Sequence, residues 1–202
     1  MSDLRLDDCP PVGRRERKKA RTRAALQHEA LRLFREKGYD RTTMEEIAEA
    51  ADVSPSTLFR HFSSKEALVL TDEYDPLIIE ACRSQPAELG AVEAIRRGMG
   101  EVFAHVSEGA LADIRDRAEL AVSVPDLRAA MLDQLARSIR DVTGVVAERV
   151  GRPSDDFAVA TLAGAIMGVM LSAELYWIGH PGSDLFALID EALVHLERGL
   201  TL

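Results

Sequence analysis

The 202-residue chain is predicted to be all-α, with an N-terminal three-helix head that contains a helix-turn-helix and a longer helical body after it. Three observations carry this prediction. No stretch alternates apolar and polar residues with period two for long, so strands are not expected. Apolar residues recur at helical spacing between Ser, Thr and Pro starts and Gly stops. The charge is also divided along the chain. Residues 14–70 hold 13 Lys or Arg against 9 Asp or Glu, whereas residues 71–202 hold 11 Arg against 22 Asp or Glu, and every Lys lies at or before Lys65. This is the pattern of a basic head on an acidic body.

Residues 1–13 are expected to be a disordered lead, because Pro10, Pro11 and Gly13 oppose helix and the segment is acidic. A basic run from Arg14 to Lys19 opens the first helix, which should stop at Gly38. Its inward positions are Ala24, Leu26, Ala30, Leu31, Leu33 and Phe34. Thr43 then caps a short helix with Glu46 three residues on, the spacing of a capping box. Met44, Ile47, Ala48 and Ala51 form its apolar face. Asp52 sits where the chain must turn sharply, and Asp tolerates positive φ better than most residues. Ser54 caps the next helix and Pro55 occupies its first position, where a missing N–H costs nothing. Leu58 and Phe62 face inward. Ser63 or Ser64 caps a linking helix from Lys65 to Ile79, with a kink expected at Pro76. Further helices are predicted over 88–107, 110–121, 125–150, 154–179 and 184–199. Ser154 and Ser183 are the expected N-caps, Pro125 fits a first helical position, and Gly109, Gly151 and Gly182 are the punctuation. The expected domains are 14–64 for the head and 65–202 for the body.

The helix after Asp52 has no long acidic side chain and is rich in small hydroxyls, with an aromatic and basic groups. That is the chemistry of a helix that enters a DNA groove. Ser54, Ser56, Thr57 and His61 are expected to face the major groove beside Pro55 and Arg60. Thr43, Phe59 and Lys65 are expected near phosphates. The acidic body repels DNA, so binding should be confined to the head.

Residues 20–70 resemble the helix-turn-helix of TetR-type repressors. The resemblance includes the approach Phe34-x-x-x-Gly38-Tyr39-x-x-Thr42-Thr43 and the exit Phe59-x-x-Phe62-x-x-Lys65-Glu66. Two residues depart from the family pattern. Asp52 stands where Gly is usual, and Phe59 stands where Tyr is usual, which removes a hydroxyl that in relatives bonds a phosphate. The resemblance implies a homodimer built through its last two long helices, expected on a double-stranded, inverted-repeat operator, and a cytoplasmic location fits the two scattered cysteines. The resemblance also implies a small-molecule effector that releases the DNA. Asp72-Glu73-Tyr74-Asp75-Pro76-Leu77 and Val124-Pro125-x-Leu127-Arg128-Ala129 are similar to actinobacterial regulators related to the mycofactocin-system repressors, which implies an acyl-CoA-like ligand class. The body's bulky, adaptable side chains Met99, Phe103, Ile114, Met131, Met167, Met170 and Trp177 are the candidate lining of an effector pocket, each of them also compatible with plain core packing.

Other classes find less support. The five His are scattered, and no catalytic or phosphate-binding motif is present, so no catalytic residue, metal or cofactor is expected. Cys9 and Cys82 make no disulfide framework, and the N-terminal residues contain no apolar signal segment. The run from Phe157 to Ala173 is 17 residues without a charge, interrupted by Glu174 and short of the ~20 a membrane span needs. A buried or interfacial helix is therefore expected, with Gly164 and Gly168 allowing close approach. Two rivals remain at this level: a small all-α enzyme or carrier with an incidental basic head, and a protein that coats DNA without regard to sequence.

Overall fold

The computed structural model of the chain describes residues 14–72 and 74–200. The expected disordered lead and Cys9 lie outside the described residues. Ten helices run α1 (Arg14–Lys37), α2 (Met44–Ala50), α3 (Pro55–His61), α4 (Lys65–Leu70), α5 (Asp75–Ser84), α6 (Ala91–Phe103), α7 (Glu108–Ser123), α8 (Pro125–Val150), α9 (Phe157–Gly179) and α10 (Leu185–Glu197), with no strand among the described residues.

The predicted linking helix is in fact two. α4 ends at Thr71, whose backbone is extended at φ −85° and ψ 121°, and α5 restarts with Pro76 in its first turn. Pro76 lacks the N–H that would bond the carbonyl of Asp72 four residues earlier, and its ring crowds that carbonyl, so a regular helix does not run through this stretch. The break is held from outside: the Gln27 side-chain amide donates to Leu68 O at 3.0 Å and Thr71 O at 2.8 Å. Two expected caps also differ. Asp156, not Ser154, caps α9, and Asp184, not Ser183, caps α10. Each Asp carboxylate accepts from two backbone N–H groups, and its charge complements the positive end of the helix dipole. Gly109 lies inside α7, which Ser107 caps. Gly151 and Gly182 do punctuate, both at positive φ.

The chain forms two compact units. The first runs to Thr71 and adds Ser107–Met131. It does not stop at residue 64. Leu68 and Val69 of α4, Ala121 of α7 and Leu127 of α8 are buried in one apolar cluster with Leu26, Leu31, Phe34, Ile47, Leu58 and Phe62. Of the expected inward positions of α1, only Ala24 is not fully buried. Outside this cluster, Arg35 pairs with Asp116, and His28 lies 3.8 Å from Asp113, so charge also ties α1 to α7.

The second unit holds Asp72–Val106 and Leu132–Leu202. Here α5 and α6 pack together, with Gly98 set against Cys82. A Cβ on Gly98 would stand 2.6 Å from the Cys82 backbone N, so only Gly fits. Arg149 joins α8 to the end of α5, donating to Pro86 O at 2.7 Å, Cys82 O at 2.9 Å and Gln85 O at 3.1 Å. Helices α9 and α10 pack along each other, burying Ile166, Ala173, Trp177, Ile189 and Leu193. The apolar helix is longer than the uncharged run. It continues through Glu174 to Gly179 and is long and apolar enough to cross a membrane by length and composition alone. Its outer face is uncovered in the single chain, with Phe157 86%, Leu175 48% and Tyr176 51% exposed.

Candidate nucleic-acid interface

The interface is built from capped, very short helices, and local rules account for most of it. Thr43 Oγ1 accepts from Glu46 N at 3.2 Å, while Glu46 Oε2 accepts from Thr43 N at 3.0 Å, completing the capping box. Lys37 Nζ adds a 2.7 Å bond to Glu46. That bond, followed by the one from the Thr43 backbone, holds the Glu46 carboxyl below its ordinary range. Asp52 adopts φ +53°, the left-handed turn expected of it. Val53 N then donates to Ala48 O at 3.0 Å, closing the turn. Ser54 caps α3 by accepting from Thr57 N at 3.2 Å, and its hydroxyl also bonds those of Ser56 and Thr57.

Helix α3 has seven residues. Leu58 and Phe62 are 0% and 1% exposed and anchor it to the first unit's core. Ser54, Pro55, Ser56, Phe59 and Arg60 are exposed on its outer side, with Thr57 and His61 half-buried at the edges. Arg60 and Thr57 lie within 3.5 Å of each other. The structure therefore brings the expected groove residues onto one surface. Phe59 is 48% exposed and has no hydroxyl, so it offers DNA an apolar ring and no phosphate bond.

Lys65 departs from expectation. Its ammonium turns inward, donating to Tyr39 O at 2.7 Å and Thr42 O at 3.2 Å and lying 4.2 Å from the centre of the Tyr39 ring. It was expected near a phosphate because it opens α4. What the helix start does not reveal is that the α1–α2 connection places two carbonyls within its reach.

Two polar residues that matter here were missed, and Thr42, named only within the family approach, proves to have a structural role. Arg23 of α1 donates to His61 O at 3.1 Å and covers the Phe62 ring at 4.5 Å. Gln27 holds the end of α4, as above. Thr42, 1% exposed, donates to Gly38 O at 2.9 Å in the connection before α2. Arg23 and Gln27 interrupt the apolar stripe of α1 four residues apart, and that interruption was the available signal.

His61 is held below its ordinary pKa first by burial, then by the charges of Arg23, Arg60 and Lys19. The folded head thus favours the neutral ring. The stability this contributes is complete above the ordinary value of ~6.5 and is lost as pH falls toward the depressed folded value. Replacing His61 with Gln should flatten the pH dependence of urea-unfolding stability below the ordinary histidine value of ~6.5 relative to the wild type. Equal pH slopes for the two chains would refute this.

The candidate effector residues fall in both units. Ile114 and Met131 belong to the first, while Met99, Phe103, Met167, Met170 and Trp177 belong to the second. Met99 is 3% exposed, and Trp177, 4% exposed, donates its indole N–H to Ser183 O, as a core residue does. Phe103 stacks on Phe186 with ring centres 3.9 Å apart. A shallow depression elsewhere in the second unit is lined by Arg83, Gln85, Ala87, Val145, Glu148 and Arg149, none of them among the candidates. Arg83 there pairs with Glu148 at 2.9 Å, and the two terminal nitrogens of Arg149 donate to backbone carbonyls while its buried Nε has no hydrogen-bond partner. Burial pushes the Cys82 thiol up to about 11, which makes it a poor nucleophile. No group of three His, Cys, Asp or Glu suited to a metal lies among the described residues.

A hydroxyl- and cation-bearing helix on a rigid, capped, two-helix base defines a helix-turn-helix DNA-binding regulator. Comparison with known proteins agrees. Residues 26–71 match the family description "Bacterial regulatory proteins, tetR family", and residues 89–201 match the "MftR C-terminal domain". The transcriptional regulator TcmR of Streptomyces glaucescens is 34% identical over 188 residues, 87% of this chain and 81% of that protein. The mycofactocin biosynthesis regulator MftR of Mycobacterium tuberculosis is 26% identical over 193 residues, 95% and 97% of the two chains. Thermus thermophilus FadR, a repressor solved with lauroyl-CoA, superposes with TM-score 0.53 at 26% identity, over 89% of this chain and 95% of that one. The chain belongs to the TetR family of DNA-binding transcriptional regulators.

Proposed function

We propose that the protein is a cytoplasmic homodimeric repressor that leaves an inverted-repeat operator when an apolar, acyl-type effector binds its body. The observation that carries the DNA half is the outer face of α3, where Ser56, Phe59 and Arg60 are exposed above a buried Leu58 and Phe62. Thr43, Ser54, Pro55, Thr57 and His61 complete the surface offered to the groove and its phosphates. Support for the dimer is the apolar outer face of α9, where Phe157, Leu175 and Tyr176 stand exposed to water. Two recognition helices related by a two-fold axis would then reach successive major grooves ~34–36 Å apart or a multiple of it. Support for the effector class is the match to the MftR C-terminal domain and the likeness to a repressor that binds lauroyl-CoA. Within the second unit, Met99, Phe103, Met167, Met170 and Trp177 remain the candidate contacts, and Phe103 is the first to substitute.

An effector releases DNA only by binding the DNA-free form more tightly. With a typical coupling of ~1–3 kcal/mol, operator affinity falls about 5–150-fold, and DNA must weaken effector binding by the same factor. The test uses a duplex selected by the wild-type chain from a random-sequence pool, with lauroyl-CoA as the probe. Lauroyl-CoA is titrated calorimetrically with and without saturating duplex. Weaker binding in the presence of duplex is expected. Equal affinity in both titrations rules out release by this ligand.

A further inference from the structure

We propose that Arg23, on the first helix, is the positioning residue of the recognition helix, setting its orientation and thereby the selectivity of DNA reading. Helix α3 has seven residues, too few to hold itself in place through its own hydrogen bonds. Its front is fixed by Ser54. Its back is fixed by a residue 38 positions earlier: Arg23 donates to the carbonyl of His61, the last residue of α3, at 3.1 Å. The same guanidinium lies 4.5 Å from the centre of the Phe62 ring, on the residue that ends the helix. Phe62 is 1% exposed, so this platform does not move independently of the core. Arg23 is itself half-buried on α1, beside Leu26 and Gln27, which are 0% and 4% exposed.

A planar, rigid fork that donates to a carbonyl while lying over a ring constrains both distance and rotation more than an ammonium on a flexible stem does. A cation at a helix C-terminus is also favoured by the dipole. Base reading depends on side chains held in register, each well-placed contact discriminating by ~1–3 kcal/mol. Ser56, Thr57 and Arg60 share one rigid helix, so a small rotation of α3 misplaces all three together. The competing role for an Arg at this place is a plain phosphate contact, which needs only its charge.

Charge and geometry separate in Arg23→Lys. Affinity of the full chain is measured by fluorescence anisotropy over a range of salt concentrations, for the duplex selected by the wild type and for a scrambled duplex of equal length. The positioning role predicts that Arg23→Lys loses roughly tenfold in preference for the selected duplex, about the discrimination of one well-placed base contact, with an unchanged salt slope on the scrambled one. Arg23→Gln gives the same pair of results and serves where the lysine variant does not fold, with circular dichroism checking each. The phosphate role predicts instead that Lys keeps the wild-type preference, and that Gln lowers the slope by about one on both duplexes alike. Either of those results overturns the proposal. The wild-type preference in the same titrations reports DNA reading separately.

Discussion

Lys65→Met is expected to destabilise the head by about 3 kcal/mol and to leave the salt dependence of DNA binding unchanged. The ammonium carries three donors, and two of them meet the carbonyls of Tyr39 and Thr42. Hydrogen bonds to charged groups contribute about 1.5–3 kcal/mol each, and the ring beneath the charge adds about 1. Partial exposure reduces that sum. The methionine stem fills much the same space, so the change isolates the charge. The carbonyls concerned lie in the connection that positions α2, which Thr42 also ties through Gly38 O, so losing them loosens the base on which α3 stands. Urea unfolding measures the first effect, and anisotropy at several salt concentrations, below the melting temperature, measures the second. If stability holds while the slope drops by about one, Lys65 is a phosphate contact after all and its inward pose is not its role on DNA.

That reversal shows where reading the sequence reached and where it stopped. The Thr43–Glu46 box, the turn at Asp52, the Ser54–Pro55 start and the inward pair Leu58 and Phe62 all follow from rules acting within four residues, and all are present. Arg23, Gln27 and Lys65 act over 23 to 44 positions, on carbonyls whose location depends on the folded head. No local rule gives their partners. The extent of the first unit was hidden for the same reason: α7 and the start of α8 join it through Ala121 and Leu127, far along the chain. The caps of α9 and α10 were missed differently, because Ser154 and Ser183 lie close to better acceptors in Asp156 and Asp184. For the effector residues, type is uninformative. A Met or Trp suited to a pocket is equally suited to a core, and Trp177 is buried as core residues are.

Gly164→Leu is expected to convert the protein to monomers at micromolar concentration and to weaken binding to the selected duplex by about 10²–10⁴-fold, the gain ordinarily conferred by linking two binding modules. A Cβ at Gly164 or Gly168 would meet nothing within 4 Å in the protomer. Leucine there should not disturb the protomer's packing, and it favours helix over glycine by somewhat under 1 kcal/mol. The harm must therefore come from a second copy. Phe157, Gly164, Gly168 and Leu175 recur at helical spacing on the uncovered side of α9, with Tyr176 at its edge, and the two glycines allow another helix to approach closely there. A leucine side chain at that approach separates the two helices and opens the seam along its length. Each separated head keeps its own α3 and still binds a half-site, but without the second head to hold it down. Analytical ultracentrifugation and anisotropy on the selected duplex read the two effects on the same sample, with unfolding of the variant as the control for the protomer. A variant that sediments as a dimer and binds the duplex as tightly as the wild type would place the dimer seam elsewhere than the α9 face.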